Sequence, residues 1–408
     1  MRAIYFIACL SISLAGFTNP ALSQPVELSE EAQISLITIL PGEAPEEWFG
    51  HSAVRVKDQA QNIDYSFNYG TFQFDTFFLP KFIYGELTYF LSVADFSRAV
   101  QHYRERERPI IEQVLRFSPD QKQALFEFLQ NNARPENRYY QYDFLFDNCS
   151  TRIRDALVEV LGDDILFAEK PDPQLTFRQM IDLYVDDRPF YDFGIDLVLG
   201  SRIDRVAEPW ETMFLPDYLL EAFDHATVYK NNEQQPLVAS KDTLMWIDGY
   251  QASKESLPWV NLITWTLFII GAIVTIRNYY HGRLTTRWFD IPLFTISGLI
   301  GLIIAFLWFI SLHQETVNNI NLFWAWPTHL LVIPLLFRMN QPGSVATVYL
   351  IAAGLAPLII ALGWYLWPQS LHSAAFPLLI LLILRCSWIA LQPIFSNSKT
   401  TTEKQETN

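Results

Sequence analysis

The 408 residues predict an α+β aqueous domain followed by an all-α membrane domain, on three observations. Charge is segregated: only five of the 29 basic residues and two of the 44 acidic ones fall between Pro258 and Gln392, which leaves the rest of the chain with a balance of −18 against −15 for the whole. That weakly charged stretch contains five apolar runs. The residues ahead of it alternate apolar and polar in the manner of β-strands, then shift to helical spacing. With 50% hydrophobic residues the chain is too apolar for a disordered protein. Its acidic balance excludes phosphate-backbone binding as the main activity, so no nucleic-acid partner is expected.

The N-terminus has the form of an export signal over residues 1–23. Met1-Arg2 supplies a positive charge, Ala3 to Gly16 an apolar core, and Ala21-Leu22-Ser23 the small residues of a cleavage site, with an uncleaved anchor as the other reading. Residues 24–257 are then an exported domain. Ala32–Leu40 and His51–Lys57 read as strands, and a third strand, Ile63–Tyr69, ends at Gly70. The second and third form a hairpin. An aromatic stretch from Phe72 to Phe90 either contacts lipid or packs in a core. Helices follow at Ser97–Arg106, Pro119–Asn131 (opened by the Ser118-Pro119 cap) and Arg152–Leu161.

The membrane domain covers residues 258–392, with about five transmembrane helices: Pro258–Ile276, Ile291–Ser311, Leu322–Phe337, Val345–Trp364 and Ala374–Ile389. The first, second and fourth reach the roughly 20 residues needed to cross about 30 Å of hydrocarbon. The third is short and interrupted by Pro327 and Pro334. Arginines in the loop Arg277–Asp290 and at Arg338 place those loops inside, whereas His313–Asn321 and Trp367–Ser373 contain no Lys or Arg and belong outside. Residues 24–257 are therefore outside the cytoplasm, and the 393–408 tail is cytoplasmic.

Cys149 is the only cysteine of the aqueous part, so no disulfide can form there. Following Asp147-Asn148, it opens a helix, where free N–H groups and the helix dipole favour a thiolate. A cysteine nucleophile needs an imidazole and a polar group to orient it. His51, after Phe49-Gly50 on the hairpin, is the choice over His102, which sits on a charged face, and His225. A buried small hydrophobe and a structural histidine are the alternatives for the pair. The loop from His313 to Asn321, next to Leu322-Phe323-Trp324, is either an ordinary polar loop or a floor that grips a lipid headgroup or second substrate. His329, inside a span, is either functional or a packing residue. No HExxH, CxxC pair or Gly-rich phosphate loop is present, so no metal and no cofactor are expected.

Three segments carry a resemblance. Phe49-Gly50-His51-Ser52-Ala53-Val54-Arg55-Val56, Tyr65–Phe72 and Tyr140-Gln141-Tyr142-Asp143-Phe144-Leu145-Phe146-Asp147-Asn148-Cys149-Ser150-Thr151-Arg152 resemble the bacterial Lnb-type lipoprotein N-acyltransferases, and His313–Trp324 resembles the outer loop of their membrane domain. The order His then Cys is also similar to circularly permuted papain-like (NlpC-type) folds and to lecithin:retinol acyltransferase, where an Asn-Cys pair opens the helix. The resemblance implies catalysis by Cys149, His51 and, as the third polar residue on the strand beside His51, Asn68, with Asp64 as its alternative and strand-edge polars as the other reading of both; it implies substrate contact by Asn148, His313 and Asn321. It implies transfer of an acyl chain from a phospholipid donor, through a Cys149 thioester, to the N-terminus of an apolipoprotein acceptor. A membrane-tethered papain-like amidase of cell-wall peptides and a non-enzymatic envelope binding protein are the rival expectations.

Overall fold

The computed structural model describes residues 26–72, 76–168, 174–230, 233–252, 256–338 and 343–406. The expected signal peptide, residues 1–23, lies outside the described residues. The chain runs β1 (Gln33–Ile39), β2 (His51–Asp58), β3 (Ile63–Phe72), α1 (Phe78–Tyr84), β4 (Thr88–Asp95), α2 (Phe96–Glu105), β5 (Ile110–Leu115), α3 (Pro119–Asn132), β6 (Tyr139–Gln141), α4 (Cys149–Leu161) and β7 (Ile165–Leu166). It continues with α5 (Phe177–Val185), α6 (Pro189–Val198), α7 (Pro209–Thr212), α8 (Pro216–His225), β8 (Thr227–Lys230), β9 (Glu233–Pro236) and β10 (Val238–Met245). Five helices close it: α9 (Trp259–His281), α10 (Arg287–Phe309), α11 (His329–Arg338), α12 (Ser344–Leu362) and α13 (Ala375–Glu406).

Two compact units emerge, and their boundaries do not follow hydropathy alone. The head unit comprises residues up to Gln73, Leu87–Lys170 and Glu208–Ala252; the helical unit comprises Phe74–Glu86, Pro171–Ala207 and Ser253 onward. Two segments expected in the aqueous domain, one carrying α1 and one carrying α5 and α6, thus pack with the C-terminal helices.

The head unit is a seven-stranded antiparallel sheet in the order β10-β5-β1-β2-β3-β4-β6. Both faces are covered. Ile34 and Leu36 of β1, with Val54, Val56 and Phe67, pack against Leu125 and Phe126 of α3, Ile153 and Leu157 of α4 and Phe223 of α8. Ile37 and Ile39, with Ala53, face Phe96 and Tyr103 of α2. A strand buried on both faces reads as a continuous apolar run, which is what β1 shows. The expected strands are found as β1 to β3, whereas β4, β5 and β10 were not foreseen. β10 is polar along most of its length because it is an exposed edge.

In the helical unit, among the described residues, four helices are long and apolar enough to cross a membrane: Trp259–His281, Arg287–Phe309, Ser344–Leu362 and Ala375–Gln392. The expected third span has a different form. Residues 313–328 contain only short 3-10 turns, and α11 adds ten helical residues. This segment follows α10: Thr316 Oγ1 donates to Leu307 O, Ala325 lies against Gly301 and Leu330 against Gly298. A Cβ on Gly301 would meet Ala325 O at 1.7 Å, so only glycine permits the approach. Irregular backbone at membrane depth must be enclosed by protein, and Trp324, Ala325 and His329 are fully buried. Residues of the two Lys/Arg-free loops meet on one face, where Ile320 N–H donates to Gln369 Oε1 at 2.6 Å. Elsewhere in the unit the fully buried Arg385 forms a bidentate pair with Asp290 at 2.8 and 2.9 Å and donates to Thr275 Oγ1, linking α13, α10 and α9. A charge in apolar surroundings is tolerated when paired in this way.

Candidate active site

The site forms in the head unit where β2, β3 and α4 meet. Asn148 is the N-cap of α4, and Cys149 is its first residue. The Asn148 Oδ1 accepts from Ser150 N–H at 2.8 Å and Thr151 N–H at 3.0 Å, and its Nδ2 donates to Phe144 O and Phe214 O. Thr151 Oγ1 in turn accepts from Asn148 N–H, completing a reciprocal cap. The local sequence Asn-Cys-Ser-Thr therefore fixes a helix start and puts the thiol on its first turn. The N–H of Cys149 itself has no acceptor among the described residues.

His51 is the first residue of β2. Gly50, at φ +75°, turns the chain into the strand with its α-carbon against Ile39 O, a close backbone approach that a side chain would obstruct. His51 Nε2–H donates to Asn68 Oδ1 at 2.9 Å. The same oxygen accepts from Gly70 N–H at 2.7 Å, so the amide orientation is set by two donors. With Nε2 protonated, Nδ1 carries the lone pair available to a thiol. Gly70 also packs on the imidazole; a Cβ there would meet His51 Cε1 at 2.4 Å.

The half-buried Cys149 sulfur is in hydrogen-bonding reach of the His51 ring, the Ser52 N–H and the Ser150 hydroxyl. Burial pushes the thiol up, but the charge and hydrogen bond of His51, then the Ser52 N–H and Ser150 hydroxyl, outweigh it and the net direction is down. Ser52 and Ser150 are joined by a 3.0 Å hydrogen bond between buried hydroxyls. That bond fastens strand to helix at the residues immediately following His51 and Cys149.

Sequence reasoning brought Cys149, His51 and Asn68 together and did not single out the surrounding hydroxyls. Tyr89 and Tyr142 stack at 4.2 Å, and burial together with the neighbouring Cys149 charge pushes the phenols of Tyr89, Tyr140 and Tyr142 up, so they stay protonated. Tyr140 Oη donates to Tyr69 O, and the Arg152 guanidinium, paired with Asp147, lies 4.0 Å over the Tyr140 ring. The signal available was the spacing of Tyr140 and Tyr142, which puts both on one side of an extended segment.

The other expected site residues are placed differently. Asn148 is buried with both ends of its amide bonded to protein, so its part is to cap α4. Asp64 is ion-paired to Arg55 at 2.7 Å rather than bonded to His51. His313 and Asn321 belong to the helical unit. His313 Nε2 donates to Phe82 O at 2.8 Å. Asn321 is buried, donates to Asp196 O and Leu197 O and accepts from Trp324 Nε1. His329 donates through Nε2 to Trp324 O and accepts from Tyr349 at Nδ1, 3.0 Å. Among the described residues one carboxylate group, Asp182, Asp192 and Asp196, has oxygens within 4.8 Å of one another. Arg178 donates to Asp196, and His372 lies 3.1 Å from Asp192, so two of the three already have protein partners.

Comparison with known families is decisive at this point. The model of the Lnb N-terminal periplasmic domain matches residues 28–182, which include His51, Asn68 and Cys149, and the model of the Lnb transmembrane domain matches residues 254–394. The chain belongs to the Lnb family. Lnb membership makes it a lipoprotein-modifying membrane protein with a periplasmic N-terminal domain and several apolar helices. No curated protein and no solved structure matches the chain.

Proposed function

We propose that this Lnb protein is a lipoprotein N-acyltransferase working through a Cys149 thioester. The observation that carries the reading is a thiol at the start of α4, shifted toward thiolate by an imidazole that Asn68 orients. His51 Nδ1 takes the thiol proton as Cys149 Sγ attacks the ester carbonyl of a phospholipid. The Cys149 N–H, at the positive end of α4, donates to the developing oxyanion. Collapse of the adduct breaks the ester C–O bond, and His51 returns the proton to the departing lysophospholipid alkoxide. In the second half the α-amine of a diacylglyceryl-cysteine attacks the thioester, His51 accepts the amine proton, and the thiol leaves with that proton. The product is an N-acylated lipoprotein. A thioester is more reactive toward amines than the starting ester, so one difficult transfer becomes two easier ones.

The arrangement is that of a permuted papain-like site, with the His strand ahead of the Cys helix. An inner-membrane location with the head in the periplasm fits the acceptor and donor, both of which are lipid-anchored. Incubation with phospholipid vesicles should produce an intact acyl adduct by mass spectrometry, absent in Cys149→Ser, and lipoproteins made without the protein should lack the N-acyl chain. Digestion of cell-wall peptides with no acyl adduct would overturn the reading in favour of an amidase. Wild-type lipoprotein processing by Cys149→Ser would leave only a binding role.

A further inference from the structure

The geometry points to a lipid-docking rim on the helical unit: we propose that α1, together with the start of α6, is seated in the headgroup–acyl boundary of the bilayer. α1 reads Phe-Leu-Pro-Lys-Phe-Ile-Tyr and none of its residues is buried. Leu79 is 63% exposed, and Phe82 and Ile83 are each 45% exposed. Seven residues are too few for a helix to persist in water on propensity alone, and a contiguous apolar surface of this kind marks a contact with something apolar.

The identity of that apolar phase follows from where α1 is held. Leu312 N–H donates to Tyr84 O at 2.7 Å and His313 Nε2 to Phe82 O at 2.8 Å. Gly85, at φ +88°, closes α1 with Leu312 and His313 as its nearest neighbours. Leu312 lies just beyond the end of α10 at Phe309, on the side of the loop that lacks Lys and Arg. α1 is therefore pinned at the end of an apolar 23-residue helix, the level at which headgroups begin. Phe309, Ile310 and Leu312 are themselves at least half exposed, so the apolar surface of the span continues onto α1. The C-terminal end of α6 is held at the same loop, where Asn321 Nδ2 donates to the Asp196 and Leu197 carbonyls, and Phe190, about two turns away at its start, is 60% exposed. Short amphipathic elements lying in the interface plane bury apolar side chains about 5–10 Å into the boundary.

α1 is inserted between β3 and β4, the strands that carry Asn68 and Tyr89. The placement of α1 stands apart from the acyl-transfer reading. The placement is tested on the full chain in phosphatidylethanolamine–phosphatidylglycerol nanodiscs. Native cysteines are replaced (Cys9→Ser, Cys149→Ala, Cys386→Ser), and a nitroxide is attached to Leu79→Cys, Phe190→Cys or, as an aqueous reference, Glu127→Cys on α3. Dissolved oxygen should relax the labels at 79 and 190 several-fold more effectively than a water-soluble nickel chelate, with the opposite preference at 127. Nickel access at 79 and 190 matching that at 127, or low access to both reagents from a covering protein, overturns the proposal; Ile83→Cys repeats the measurement should Leu79→Cys fold poorly. Catalysis is absent from this background, so a negative result leaves the acyl-transfer reading standing, and a missing acyl adduct leaves the placement standing.

Discussion

The head-unit site and the polar loop of the helical unit are built from the same residue types and reach opposite ends. Around residues 313–329, the buried asparagine amides and the His329 ring meet protein partners. Asn321 uses its oxygen and its amide, Asn319 donates to Leu197 O, and both nitrogens of His329 are bonded. Around Cys149, capacity is left over. Asn148 is saturated and the Asn68 oxygen accepts two bonds, and they serve to aim a lone pair at Nδ1 of His51 and a first-turn N–H beside an ionisable sulfur. Histidines and asparagines near a membrane are thus uninformative by type. Unused hydrogen-bonding capacity beside a nucleophile is the informative quantity.

The contrast can be broken most forcefully at His51. His51→Ala should slow acyl loading of Cys149 by about 10³-fold, within the span usual for a lost general base. It should also move the midpoint of iodoacetamide alkylation upward. The sign follows from the thiol's downward shift: wild-type Cys149 becomes thiolate at lower pH than an ordinary thiol, and removing the largest lowering cause returns the midpoint toward the common range. An unmoved midpoint would disconnect the two residues. Gly70→Ala comes next. Its Cβ has to displace the imidazole it would touch at 2.4 Å, and a displacement on the order of 1 Å costs about 10²-fold in rate.

Asn321→Ala sharpens the other side. Three hydrogen bonds from a buried amide are lost, so a stability loss of about 1–3 kcal/mol is expected in thermal unfolding in detergent. Acyl loading per folded molecule should stay at the wild-type level. Loading lost at unchanged stability would return the loop to the substrate-binding role its sequence suggests. The smallest effect is at Asp182, whose carboxyl is pushed up to about 7 by burial and by Asp196 and Asp192. The folded state then holds a proton between about pH 4 and 7 that the unfolded chain has released, so stability falls as pH rises through that window. Asp182→Asn should flatten the slope and gain about 1–2 kcal/mol above pH 7, the full shift being discounted for partial exposure. A steeper slope in the variant would contradict the shift.

The parts of this molecule that were legible in the sequence are those whose cause is local. The β2–β3 hairpin announces itself by alternation, the cap at Asn148 by its side chain, and three of the spans by length and composition. Long-range causes were hidden. The membership of α1, α5 and α6 in the helical unit depends on bonds such as His313 to Phe82 O and Asn321 to Asp196 O, made across more than a hundred residues. The irregular course of residues 313–328 depends on Gly298 and Gly301 of a different helix. The tyrosine wall follows from β4 pairing with β6, a partnership that no periodicity in either strand encodes.

The far edge of the sheet has a consequence for how the protein is made. β10 pairs with β5 and completes the sheet from a position more than a hundred residues later in the chain, and α9 begins at Trp259, soon after β10 ends at Met245. During synthesis the head cannot close until its last strand has cleared the translocation channel, and by then the first span is entering the channel behind it. Until that moment β5 presents an open edge, the period in which a folding sheet is most vulnerable to wrong partners.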